Sequence, residues 1–124
     1  MEALGFIKEQ MNILAVPYEF AEWTSVVKYP YFVGEIVEEP TNTEDRREES
    51  TLILTGFTRG KYIELEEIKE KIKKHFDPIY GLRSDIDIGA IAVFFNGSMN
   101  ISTGEADLKK IQINLQIIEW KGKW

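Results

Sequence analysis

Hydrophobic positions recur along this chain with two periods, and each switch of period marks a new element. Leu4, Ile7, Met11 and Leu14 are spaced for one face of a helix over residues 2–15, with Glu2, Lys8, Glu9 and Gln10 around the rest of the turn. Pro17 bars its continuation and pushes Val16 toward extended geometry. Tyr18 to Trp23 is rich in aromatics and predicts a short strand, with Tyr18, Phe20 and Trp23 in core and edge packing. Tyr29-Pro30 marks a turn. Pro30 then stands where a strand begins and its missing N–H costs nothing. Tyr31 to Val37 reads as that strand, and Gly34 inside it signals a bulge or a close backbone approach.

Thr51 to Phe57 alternates cleanly: Leu52 and Leu54 face one side, Ile53, Thr55 and Phe57 the other. Arg59-Gly60 turns the chain. Residues 61–76 predict a second helix with Leu65, Ile68, Ile72 and Phe76 as its buried stripe, and with Glu67–Lys71 and Glu70–Lys74 as acid-first pairs on its wet side. Asp77-Pro78 stops it, and Tyr80-Gly81 to Asp87 reads as a loop. Ala90 to Phe95 predicts a buried strand ended by Asn96-Gly97, a strong turn signal, with Ser98 to Gly104 as a return strand or loop. The last strand is the clearest, because Ile111, Ile113, Leu115 and Ile117 alternate with Lys110, Gln112, Asn114 and Gln116. Two helices with one apolar stripe each, and several short strands, predict an α+β domain: a mostly antiparallel sheet with both helices packed on one face.

The segment from Glu38 to Ser50 is different. Between Glu35 and Glu49 lie seven acidic residues, offset only by Arg46 and Arg47, and Pro40, Thr41, Asn42 and Thr43 break any regular element. That composition predicts a hairpin connection or an exposed acidic loop, mobile in the monomer and ordered in an assembly. The whole chain of 124 residues suits one domain. Its net charge of −6 leaves no basic stripe for phosphate backbones. Cysteine is absent, which excludes disulfides and thiolate metal sites and fits a reducing cytosol. The first residues are too polar for a signal peptide, and no apolar run reaches the roughly 20 residues that span a bilayer.

Candidate chemistry is sparse. His75, the one histidine, sits in the last turn of the second helix, where its cation suits the helix dipole. Asp85 and Asp87 lack the alternating oxygen ligands of a calcium loop. The acid pairs Glu38–Glu39, Glu44–Asp45 and Glu48–Glu49 read as solvated loop charges rather than carboxylates with separated pKa values. No glycine-rich loop opens a helix. The sequence therefore predicts no catalytic, cofactor or metal residues. Trp120 falls on the polar face of the last strand, where its ring either packs at the edge under a loop or serves as a surface binding anchor.

The run PYEFAEW, then YPYFVGEIVEEP, then TED and STLILTGFTRG before a Glu/Lys-rich helix, resembles the tail terminator (tail completion) proteins of tailed bacteriophages and prophages and related head–tail joining proteins. The resemblance covers roughly residues 1–80, and Tyr29 to Glu35 is its most specific part. It implies a structural, non-enzymatic protein of the virion tail, assembled in the bacterial host cytoplasm and bound to no membrane. It implies a ring, commonly of six copies, that caps the tail tube protein and meets the head–tail connector protein, while DNA passes through without being bound specifically. It implies no cofactor. The isolated chain can remain monomeric until a template is present. The expected self or partner surface comprises Glu38, Glu39, Glu44, Asp45, Arg46 and Arg47 from the acidic segment, and Gln112, Asn114, Gln116 and Trp120 from the last strand. A head-completion or minor capsid role differs only in which neighbour is bound. A rival of another class is an acidic module that mimics DNA, which needs carboxylates spaced along a rigid face.

Overall fold

The computed structural model describes residues 2–21, 29–39, 47–86 and 89–121. The elements run α1 (Glu2–Ile13), β1 (Tyr18–Phe20), β2 (Tyr31–Glu39), β3 (Arg47–Thr58), α2 (Tyr62–His75), β4 (Leu82–Ile86), β5 (Gly89–Ile101) and β6 (Lys109–Lys121). The six strands form one sheet in the order β1-β2-β3-β6-β5-β4. Only β1 and β2 are parallel; every other neighbouring pair is antiparallel. The α+β architecture expected from the sequence is what the chain adopts. No helix among the described residues is long and apolar enough to cross a membrane.

Register decides which side chains share the core. Leu52 and Leu54 of β3 stand opposite Leu115 and Ile113 of β6, and Val93 and Phe95 of β5 stand opposite Ile117 and Leu115. All lie on one face with Phe32, and all are buried. Both helices cover that face: Ala3, Ile7 and Met11 of α1 join the same cluster as Leu65, Ile72 and the following Phe76. A link between the helices confirms their adjacency, since His75 Nε2 lies 2.7 Å from Gln10 Oε1.

Local chemistry sets the helix ends. At the end of α1, Val16 N–H reaches the Met11 carbonyl and Ala15 N–H the Asn12 carbonyl, with Ala15 at φ 58°. This is a Schellman closure, sealed by contact between buried Val16 and Met11, but with alanine where glycine is favoured. At the start of α2, the Glu64 carboxylate accepts from the Lys61 N–H and from the buried Thr58 hydroxyl, both at 3.0 Å. Those two bonds orient the first turn and satisfy a hydroxyl that is shut off from water. The ion pairs on α2 centre on Lys69, with Glu66 at 2.6 Å and Glu70 at 3.5 Å, rather than on the expected acid-first pairs.

Three expectations are corrected. Residues 82–86, read as loop, form the edge strand β4. Asn96-Gly97 does not end β5: two residues there oppose the single Asn114, Gly97 at φ 122°, and the strand runs on to Ile101. This is a bulge, and it inverts the facing of every later residue, so Met99 turns away from the core. The acidic segment is shorter than Glu38–Ser50, because Glu38 and Glu39 belong to β2 and Arg47 to Ser50 to β3, with Glu38 opposite Ser50 and Glu39 opposite Glu49. Residues 40–46 lie outside the described residues.

Gly34 and Gly56 meet the close approach expected of the first. The Tyr18 ring covers Gly34 and the buried Phe32 ring covers Gly56, where an added Cβ would sit 2.4 Å from a ring carbon. Two opposite substitutions test the backbone. Ala15→Gly relieves a left-handed alanine and raises stability by up to about 1 kcal/mol. Gly56→Ala drives a methyl into a ring that cannot move and lowers it by about 1–3 kcal/mol. Urea unfolding of both variants checks the signs.

Candidate functional site

The face of the sheet opposite the helices is built from alternate residues of all the long strands. Across its middle run Val33, Thr55, Gln112 and Met99 in one row, and Val37, Thr51, Gln116 and Phe94 in another. Its side chains are mostly half-buried by their neighbours in the sheet. Gln112 donates to Asn114 Oδ1 at 3.2 Å, and Thr51 Oγ1 donates to Gln116 Oε1 at 3.3 Å. The centre of the face is thus a patch of amides and hydroxyls bonded to one another in pairs.

The two ends of the face differ. At one end Tyr29, Tyr31 and Phe57 form a tier of rings, with centroids 5.5 Å apart for the first pair and 5.1 Å, stacked, for the second. Lys110 Nζ stands 5.5 Å from the Phe57 centroid and Arg59 Cζ 5.6 Å from that of Tyr29. Arg59 Nε also donates to the Tyr29 hydroxyl at 3.3 Å and Nη1 to Asp107 Oδ2 at 2.9 Å. The Tyr29 hydrogen bond and then the Asp107 carboxylate hold the guanidinium protonated even above its ordinary range. Burial, with Tyr29 adding to it, raises the Tyr31 phenol. At the other end Glu39 opposes Glu49 on this face, while on the helix side of the same sheet end Glu48 opposes the buried Glu119. Arg47 sits among them with Glu49 4.0 Å away.

The expected surface residues divide accordingly. Arg47, Gln112, Asn114, Gln116 and Trp120 come together on this open face, with Glu39 at a register position of the same face. Glu38 does not, because its partner Ser50 is on the helix side. Glu44, Asp45 and Arg46 lie outside the described residues, as do Trp23, Trp124 and Asp87. The sequence reading missed the aromatic tier and Arg59. Its signal was present in β3, where Ile53 and Phe57 make a second apolar face behind Leu52 and Leu54.

Elsewhere His75 and Asp77 are already engaged. His75 spends Nε2 on Gln10, and its ring meets Phe76 edge-on at 4.9 Å. Asp77 accepts from the N–H groups of Ile79 and Tyr80, which hold its carboxyl below the usual range. Tyr18 lines a depression of about 540 Å³ between α1 and β1 with Leu4, Lys8 and Phe20. Burial pushes its phenol up to about 12, so it stays protonated at neutral pH and serves poorly as a base. Among the described residues no three histidine or acidic side chains gather as a metal site.

No protein-family model matches the chain, and no curated protein matches it at a significant level.

The helix–helix contact gives a pH test. Burial lowers the His75 pKa from 6.5. The folded value is the depressed one, so as pH falls the unfolded chain takes the proton first. Full stability holds above 6.5 and is lost as pH falls from there toward the folded value. The imidazolium still donates Nε2–H to Gln10, so burial alone sets the loss. Wild type therefore loses more thermal stability than His75→Gln between about pH 7.5 and about pH 5.5, a range that brackets histidine titration. Equal losses in parallel melts would remove His75 as the cause.

Proposed function

We propose that this chain is a structural component of a bacteriophage or prophage tail, a tail terminator or completion protein that assembles as a ring and joins tail tube to head. The observation that carries the reading is the open face: an extended sheet surface with bonded amides at its centre and an aromatic tier at one end, on the side that neither helix covers. Such a surface suits contact with other folded chains, because rings bury area at low entropy cost and amides exchange water for partner groups without leaving a charge unpaired. The expected partners are other copies of the chain, the tail tube protein and the head–tail connector. The acidic end of the sheet supports passage of DNA without adhesion. A head-completion or minor capsid role uses the same surface with a different neighbour.

A second reading, the DNA mimic, gains from one feature. Glu38, Glu39, Glu48 and Glu49 stand on paired strands rather than in a loose loop, with Glu39 and Glu49 directly opposite one another across the ladder. Inhibition of a nuclease by the monomer would favour it.

Electron microscopy of the purified chain, alone and with the tail tube and connector proteins of the same phage genome, tests the tail reading. The expected result is rings, free or seated on tube ends. Asn114→Lys combined with Gln116→Lys places charge in the centre of the open face and abolishes assembly, while shifting the melting temperature by no more than a few degrees. A chain that stays monomeric with both partners present sinks the proposal.

A further inference from the structure

β4 ends the sheet, and among the described residues no strand lies against its outer edge. An open edge offers its amide and carbonyl groups to another strand, and proteins commonly blunt such edges with charge. Here the charges are one of each sign, set symmetrically about a small residue. Leu82, Arg83, Ser84, Asp85 and Ile86 read apolar, cationic, small, anionic, apolar. Arg83, Ser84 and Asp85 are exposed. No ion pair among the described residues engages Arg83 or Asp85.

We propose that two copies of this chain join edge to edge through β4, antiparallel and centred on Ser84. In that register Arg83 of each copy stands opposite Asp85 of the other, Ser84 opposite Ser84, and Leu82 opposite Ile86. Both cross-strand charge pairs are attractive. The neighbouring registers that keep the faces aligned are disfavoured, since a shift of two residues sets Arg83 against Arg83 or Asp85 against Asp85. One sequence thus both favours the pairing and fixes its register. The pairing also has room. Arg83 and Asp85 stand beside Ala92 and Ala90 of β5, and a depression of about 430 Å³ lined by Arg83, Asp85, Ala90 and Trp120 borders the edge. The alanines leave Arg83 and Asp85 without bulky cross-strand partners on the inner side, and the outer side is open to the second copy.

The contact is isologous: the same five residues serve both copies, and the two-fold axis runs midway between the two Ser84 residues, perpendicular to the sheet. The two sheets become one of twelve strands, twice the six of a single copy. Their open faces lie on the same side. A closed ring of identical head-to-tail contacts uses different surfaces, so this inference stands apart from the tail reading.

Sedimentation velocity and light scattering over a wide range of protein concentration test it. Wild type is expected to give a dimer, or an even-numbered assembly built from dimers. Arg83→Asp and Asp85→Arg, each singly, set like charges opposite and weaken the dimer by roughly tenfold or more. The double swap Arg83→Asp/Asp85→Arg restores it, which a merely destabilised fold would not do. Circular dichroism confirms that the exposed substitutions leave the fold intact. A wild-type monomer throughout, or an oligomer whose mass neither single reversal changes, overturns the pairing. Rings that tolerate both reversals overturn the pairing and leave the tail reading standing. Dimers that never form rings with tube and connector do the converse.

Discussion

The fold depends on the pairing of β6 along both of its sides. This last strand inserts between β3 and β5, so the ladders it makes with them carry the sheet's long-range order. A central strand must satisfy two neighbours at once, and its side chains must suit two different faces. Ile111, Ile113, Leu115 and Ile117 join the core cluster on the helix side, and Gln112, Asn114 and Gln116 face the opposite side. A slip of one residue would place amides in the helix-covered core and aliphatics on the open face. The cost of such a slip holds the register, and that register aligns the amide rows, the aromatic tier and the edge charges.

From that centre the two layers follow. The helix face is closed by complementary stripes, with Ile7 and Met11 from α1 and Leu65 and Ile72 from α2. Burying such side chains is worth roughly 1.5–3 kcal/mol each, so this layer supplies most of the stability. The polar groups within it are few, and apart from the buried Tyr18 hydroxyl, which has no hydrogen-bond partner among the described residues, the principal ones are matched. Gln10 meets His75, and Thr58 meets Glu64. The open face contributes less, because its side chains are only half-buried and its amides retain contact with water. Stability and interaction therefore reside on opposite sides of one sheet, and substitutions on the open side can alter contacts without unfolding the chain.

Much of this was legible in the sequence wherever periodicity was strong. Both helices, β2, β3 and β6 were readable from positions such as Ile7, Leu52 and Ile113, because burial on one face writes itself as a repeat of 3.6 or 2. β4 was not. Arg83, Ser84 and Asp85 are poor strand formers, and an edge strand needs only one neighbour to hold it. The Asn96-Gly97 pair misled for a different reason. Positive φ is needed in a tight turn and in a bulge alike, and the ladder to β6 beyond it, from Ser98 to Ile101, keeps the strand going. Glu38 and Glu49 read as loop because their charges suggest solvent, yet their backbones pair wherever β2 and β3 remain side by side. Of the interaction surface, Gln112, Asn114 and Gln116 were visible as a polar face. The tier of Tyr29, Tyr31 and Phe57 was not, since it assembles from the ends of two strands and a turn.

The bulge in β5 connects these layers. Up to Phe95 the odd-numbered residues of β5 face the helices; beyond the bulge Met99 and Ile101 stand opposite Gln112 and Lys110, on the open side. At the same point the Phe95 N–H turns to the Phe76 carbonyl at 2.9 Å, which ties the end of α2 to the strand. The strand thus anchors a helix at Phe95 and, one inserted residue later, moves apolar side chains onto the open face. Without it Met99 would point at the core, and the open face would lose the exposed thioether that extends its row beyond Gln112. Bulges of this kind re-aim side chains at a cost in ladder bonds. Here the Phe95 N–H just before the bulge, directed away from β6, is satisfied by Phe76, so the end of α2 is fixed beside the outward turn of β5.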